Sequence, residues 1–180
     1  MAITRVLGAT AVAATLPTTV GGTGATTFSP GKVLQVVSTT KVDTFSVAGT
    51  GLAIVTGLSV AITPSATSSK ILIQANFSGF QGDYGGGYNI YRDSTFISQP
   101  TGYSSRTPTH TTAYKAQDNA TNLYSASVLD SPSSTSSLTY AIYVNALSNT
   151  YYHVNRSKDD TDTADRPRTI STITVMEIGA

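Results

Sequence analysis

The chain has 180 residues, of which charged residues are 12% and balance at a formal net charge of +1. That balance leaves no basic footprint for nucleic acid and no attraction to an anionic membrane. The absence of cysteine excludes disulfide staples, thiolate metal sites and cysteine nucleophiles.

Residues 1–31 read as an extended N-terminal arm. They hold Pro17, Pro30 and the run Gly21-Gly22-Thr23-Gly24-Ala25-Thr26-Thr27, without sustained apolar spacing of period 2 or 3.6. Such a segment buries too little surface to fold alone and is expected to order against another chain. The nearest approach to a targeting segment, Arg5 followed by Val6 to Leu16, is interrupted by Gly8, Thr10 and Thr15 and is weakly hydrophobic for a secretory signal. No apolar run of the chain reaches the length of a membrane-spanning helix. Solubility falls to serine and threonine, which fill about 50 positions, far above ordinary usage.

From Lys32 the pattern turns to strands. The predicted runs are Val33 to Val37, Val42 to Val47, Leu58 to Ile62, Lys70 to Phe77, Tyr88 to Arg92, Thr95 to Ile97, Leu123 to Leu129, Leu138 to Ala146, Tyr151 to Val154 and Thr169 to Ile178. Ile71, Ile73, Ala75 and Phe77 share one face, and Tyr140, Ile142 and Val144 another, opposite Ala141, Tyr143 and Asn145. Arg92-Asp93-Ser94 and Leu147-Ser148-Asn149 read as short hairpin connections. Tyr151 to Ser157 and Thr169 to Ile178, with the acidic loop Lys158 to Asp165 between them, read as a closing hairpin whose last strand is apolar on both faces. Thr101 to Ala120 is the longest irregular stretch. So many short strands with no convincing helix predict an all-β fold: an antiparallel two-sheet sandwich over residues 32–180, jelly-roll-like by strand number.

Catalytic groups are sparse. Asp43, Asp83, Asp93, Asp118 and Asp130 fall at turns or loop edges, where aspartate is favoured by side-chain to backbone hydrogen bonds. A glycosidase would need two of them facing across a cleft. Asp159, Asp160, Asp162 and Asp165 could offer oxygens to calcium, but the segment lacks the glycine turn and terminal glutamate of a calcium loop. Lys158, Arg166 and Arg168 bracket it, so a solvated loop is expected. His153 lies among tyrosines and reads as a packed residue, and His110 stands apart from it. The run Gly82-Asp83-Tyr84-Gly85-Gly86-Gly87-Tyr88 lacks the lysine and helix of a phosphate loop. No cofactor, catalytic residue or resident metal is expected.

Tyrosine is the distinctive aromatic, with 10 residues against 5 phenylalanines and no tryptophan. Tyr84, Tyr88, Tyr103 and Tyr114, with Tyr91, fall in or near the irregular middle and are the candidate contacts for a receptor, glycan or protein partner. Packing between subunits or at the end of the sandwich competes with that reading. Asn76-Phe77-Ser78, Asn119-Ala120-Thr121 and Asn155-Arg156-Ser157 match the glycosylation pattern and read as accidents of a hydroxyl-rich chain.

Several phrases taken together resemble a module of tailed-phage virion proteins, recurrent in marine phages and attached to fibres or other particle-surface proteins. They are Gly31-Lys32-Val33-Leu34-Gln35-Val36-Val37, Leu58-Ser59-Val60-Ala61-Ile62-Thr63-Pro64, Ser68-Ser69-Lys70-Ile71-Leu72-Ile73, Leu129-Asp130-Ser131-Pro132, Val154-Asn155-Arg156-Ser157 and Ser171-Thr172-Ile173-Thr174-Val175-Met176-Glu177-Ile178. The glycine-threonine phrase of the arm is similar to one frequent in phage fibre shafts. The resemblance implies a non-enzymatic virion protein on the particle surface, a homotrimer bound to other tail or capsid proteins through residues 1–31. A short tail-fibre or receptor-binding component is the leading role. Capsid decoration, as a cement protein clamping capsid subunits, is the alternative. A secreted carbohydrate-binding module and a depolymerase fragment are readings from other classes.

Overall fold

The computed structural model describes residues 32–81, 86–113 and 118–179. The arm expected over residues 1–31 lies outside them. Nine strands and no helix occur among the described residues: β1 (Val33–Lys41), β2 (Phe45–Ile62), β3 (Lys70–Gln81), β4 (Gly86–Arg92), β5 (Thr95–Phe96), β6 (Thr111–Ala113), β7 (Asn122–Asp130), β8 (Leu138–Val154) and β9 (Ser171–Ile178). Every pairing between them is antiparallel.

The pairings resolve into two layers. One runs β1-β9-β3-β7 and the other β2-β8-β4-β6, with the short β5 also on β4. Successive long strands thus pass from one layer to the other, the wrapping order of a jelly roll. The two-sheet, jelly-roll-like expectation is met. The layers join at one corner, where Gly79, Phe80 and Gln81 of β3 pair with Val154, His153 and Tyr152 of β8.

The period-2 faces read from the sequence point inward. Ile71, Ile73, Ala75 and Phe77 of β3 and Ile173 and Val175 of β9 meet Val60 and Ile62 of β2, Tyr88 and Ile90 of β4, and Tyr140, Ile142 and Val144 of β8 in one buried cluster. Each fully buried side chain of this size stabilises the fold by about 1.5–3 kcal/mol relative to exposure.

Five sequence expectations are corrected. Val42 to Val47 and Leu58 to Ile62 do not form separate strands, because β2 runs 18 residues from Phe45 to Ile62. Gly49 and Gly51 have φ of 106° and 105° and Gly57 has φ of 81°, so what look like turn signals are bends within one strand. The register shifts between Ile54 and Ser59, and that bulge turns both Val55 and Leu58 into the core.

Leu147-Ser148-Asn149 is likewise no turn. It lies within β8, where Ala146 to Thr150 faces the shorter Gly49 to Gly51 of β2. Arg92-Asp93-Ser94 does turn, with Arg92 opposite Thr95 and Asp93 at φ of 52°.

The closing hairpin does not form. The end of β8 pairs with β2 and β3, whereas β9 pairs with β1 and β3. A single bridge, Arg156 to Arg168, joins the two arms of the intervening loop. That loop is therefore a crossing between layers, as jelly-roll order requires. Nor is β9 apolar on both faces along its length. Ser171, Ile173, Val175 and Glu177 are buried, and its outer face begins with Thr172 and Thr174 before reaching Met176 and Ile178.

Finally, the irregular stretch from Thr101 contains a strand. β6 pairs with β4 through Tyr88 opposite Thr111, and its three residues are too few for a periodic signal.

Candidate contact surface

Alternation along β4 decides which tyrosines are available. Tyr88 and Ile90 face the core, so Asn89 and Tyr91 face outward from the β2-β8-β4 layer. On β8 the same rule sends Tyr143 and Asn145 outward. Tyr91 and Tyr143 are diagonal neighbours across the two strands, with ring centroids 4.4 Å apart. Phe96 of β5, in register with Tyr91, stacks on it at 5.4 Å and 17°. His110 follows, 5.0 Å from Phe96. At the other end of the row, Ile54 of β2 is paired with Tyr143 and is exposed, as is Leu52.

An uncharged aromatic and aliphatic row therefore runs across four elements on rigid strands. Burial raises the Tyr91 phenol above its ordinary pKa, with a further rise from Tyr143, so it stays a neutral hydroxyl at physiological pH. His110 is held in place along one edge of β4. Its Nδ1 accepts from the Ile90 amide at 3.1 Å, and its own amide donates to the Tyr88 carbonyl and to Asn89 Oδ1, each at 3.2 Å. Accepting at Nδ1 places the proton of the neutral ring on Nε2, and burial lowers the pKa and keeps it neutral. The row can stack on an apolar or sugar-ring face and donate single hydroxyl hydrogen bonds.

Only part of the predicted tyrosine set belongs there. Tyr88 is 1% exposed and is withdrawn from the contact set. Its ring lies 4.6 Å from Phe77 and 5.0 Å from Tyr124, and desolvation raises its phenol pKa. Tyr103 is 38% exposed, on the connection between β5 and β6. Tyr84 and Tyr114 lie outside the described residues. Tyr143 and Phe96 are the candidate contacts that sequence reasoning missed. The signal for Tyr143 was present in the face it shares with Ala141 and Asn145, whereas Phe96 sits on a strand of two residues with no pattern to read.

The aspartates fall to structural partners. Asp43 accepts from Lys41 Nζ at 2.9 Å, Asp93 from the Thr139 amide at 3.0 Å, and Asp130 from Arg92 and from the Tyr140 hydroxyl at 2.6 and 2.8 Å. Asp118 pairs with Lys158 at 3.3 Å, and Asp83 lies outside the described residues. In the acidic loop Asp159 pairs with Arg166 at 2.8 Å and Asp160 with Arg156 at 3.2 Å. Arg168 also contacts Asp160, and Arg166 contacts Asp165. Guanidinium groups thus pair with three of the four loop aspartates, Asp159, Asp160 and Asp165. Among the described residues no three histidines or carboxylates are grouped to hold a metal ion.

His153 is a packed residue. It is buried against Ser46, whose Oγ lies 2.8 Å from Nδ1, and desolvation together with the Arg156 cation lowers its pKa to about 4. Asn155 is fully buried, which closes its glycosylation pattern to modification in the folded chain.

One buried carboxylate was not foreseen. Glu177 points inward on β9, and its oxygens accept from the Ser65 amide at 2.7 Å, the Ser65 and Ser69 hydroxyls at 2.6 Å each, and Gln35 Nε2 at 2.6 Å. Burial opposes ionisation, and these four donors more than offset it, holding the pKa at about 2. Its parity with Ile173 and Val175 was the available signal.

Compared with known proteins, the chain matches no family model and no curated sequence. Its trace is similar to a chain in a solved structure of the Gx strain of infectious bursal disease virus. That match has 12% identity and a TM-score of 0.37, and it covers 81% of this chain. The chain spans 37% of that protein's length. The class defined here is an all-β jelly roll, a fold that hosts many unrelated roles. Function is therefore read from the residues.

Proposed function

We propose that the chain is a non-enzymatic structural protein of a tailed-phage virion: a surface-exposed short tail-fibre or receptor-binding component, attached to other virion proteins through residues 1–31. The observation that carries the binding role is the row Ile54, Tyr143, Tyr91 and Phe96, an uncharged aromatic surface on a rigid sheet. Aromatic side chains give large contact area at small cost in conformational entropy, which suits recognition of a host glycan or surface protein. Many copies on one particle turn weak single contacts into high avidity without any catalytic group. The phage assignment draws its support from the sequence phrases that begin at Gly31 and Leu58 and close at Ile178.

The test has two readouts. The purified chain, added to host cells, is expected to block phage adsorption, and Tyr91→Ala with Tyr143→Ala is expected to lose the block while keeping the wild-type circular dichroism spectrum. Quantitative mass spectrometry of particles is expected to count a few dozen copies. Hundreds of copies, or a chain that never competes with adsorption, would overturn the receptor-binding role in favour of capsid decoration.

A further inference from the structure

The outer face of the β1-β9-β3-β7 layer carries an apolar row in strict cross-strand register. Val36 lies opposite Met176, Met176 opposite Leu72, and Leu72 opposite Leu129. Val36 is 56% and Leu129 52% exposed. On one side of it the next two rows are uncharged: Ser38, Thr174, Gln74 and Ser127, then Thr40, Thr172, Asn76 and Ser125; on the other side Ile178 lies opposite the exposed Lys70. At the far end of β7, Leu123 is 71% exposed.

The edges of this layer are equally bare. β1 and β7 are nine residues each, and among the described residues neither has a partner strand on its outer side. Long edge strands are ordinarily guarded by charge, proline or a bulge. β1 has a bulge at Leu34, but β7 keeps unbroken register from Asn122 to Asp130 and carries no charge before its last residue.

We propose that this face pairs with the same face of a second copy of the chain, related by a two-fold axis. The face carries one charge, Lys70 at its end, and so offers a charged partner little to pair with, whereas a copy of itself presents a matching apolar row beside matching hydroxyl rows. Such a self-complementary contact is isologous and closes at two chains. Four strands about 4.8 Å apart and nine residues at about 3.3 Å rise offer roughly 550 Å² of flat face. Doubled across two partners, that reaches the lower bound of about 1,000 Å² for a specific interface. The pairing leaves the Tyr91 and Tyr143 row on the opposite layer free; it rests on strand register and departs from the homotrimer that the phage resemblance implies.

Light scattering on the full chain tests it. The wild type is expected at the mass of two chains at micromolar concentration. Val36→Lys and Leu129→Lys, both at exposed positions, are expected to weaken association at least 100-fold and give the single-chain mass with an unchanged circular dichroism spectrum. Ile54→Lys, on the other layer, is expected to leave two chains. A wild type that stays single up to 100-fold higher concentration, a three-chain mass, or a dimer broken by Ile54→Lys and not by Leu129→Lys would overturn the proposal.

Discussion

Arg92 and Asp130 tie the two layers together at one end of the sandwich, the guanidinium Nη1 lying 2.6 Å from the carboxylate. Arg92 closes β4 in one layer and Asp130 closes β7 in the other, and the Tyr140 hydroxyl donates to the same oxygen at 2.8 Å. Both charged side chains are largely buried. Removing the carboxylate would strand a cation and a phenol together. Asp130→Ala is therefore expected to cost about 2–3 kcal/mol, and Arg92→Met less, about 1–2 kcal/mol. Urea unfolding of the two single variants and the double variant checks this. A double variant as destabilised as the sum of the singles would show that the pair is not coupled.

Gly79 marks the place where β3 passes against β8. A Cβ there would come 2.5 Å from the His153 carbonyl oxygen and 3.2 Å from the Phe77 ring. The first of these is backbone of a paired strand and has little room to yield. Gly79→Ala is expected to cost about 1–3 kcal/mol through overpacking. Gly102, at φ of 68° with open space around it, is the comparison, where Gly102→Ala should lose only about 1 kcal/mol of backbone preference. Thermal melts in which Gly102→Ala is the worse of the two would contradict the close-approach account.

Acid should weaken the fold in two steps. His153 has a folded pKa of about 4, below its ordinary value, so as pH falls below about 6.5 the unfolded chain takes up the proton first. Its contribution is complete above about pH 6.5 and is lost as pH falls to about 4. Glu177, held at about 2, contributes fully above about pH 4.5 and loses that contribution between there and about pH 2. His153→Gln should flatten the upper part of the stability curve and Glu177→Gln the lower part, as read by urea midpoints from pH 7 to 2.5. An upper slope unchanged by His153→Gln would assign it to another group.

The inward faces of β3 and β8 were legible because alternation is local: Ile71, Ile73, Ala75 and Phe77 need no knowledge of their partners. Strand partners were not. Tyr151 to Val154 and Ser171 to Ile178 are neighbours in sequence, yet each finds its partners elsewhere, since jelly-roll wrapping sends consecutive strands to opposite layers. Splitting Val42 to Val47 from Leu58 to Ile62 went wrong for a related reason, because a strand that bends, as β2 does at Gly49 and Gly51, uses the same residue as one that ends. At the contact surface, Tyr88 shares parity with the buried Ile90 and Tyr91 does not. That distinction was available in β4, but the flanking glycines made Tyr88 look like part of a loop.

Asn155 gives the sharpest test of how the crossing between layers is fixed. It has a left-handed φ of 59° and is fully buried. Its Nδ2 donates to the carbonyls of Lys41 and Asp43 at 2.8 and 2.9 Å, and its Oδ1 accepts from Ser171 Oγ at 2.7 Å. The Ser171 hydroxyl in turn accepts from the Ser78 amide at 3.0 Å. One side chain thus joins the β1 to β2 connection, the end of β8 and the start of β9, with the serine extending the network to β3. Asn155→Gly keeps the backbone conformation, takes the side-chain donor from the two carbonyls and leaves the Ser171 hydroxyl without its acceptor, for an expected loss of about 2–3 kcal/mol. Asn155→Asp keeps the shape but turns an oxygen toward two carbonyl oxygens and buries a charge, so it should be worse than glycine, beyond about 3 kcal/mol. Chemical denaturation of both variants at pH 7 decides it. Aspartate equal to or better than glycine would mean that backbone conformation, rather than the amide donor, holds this crossing in place.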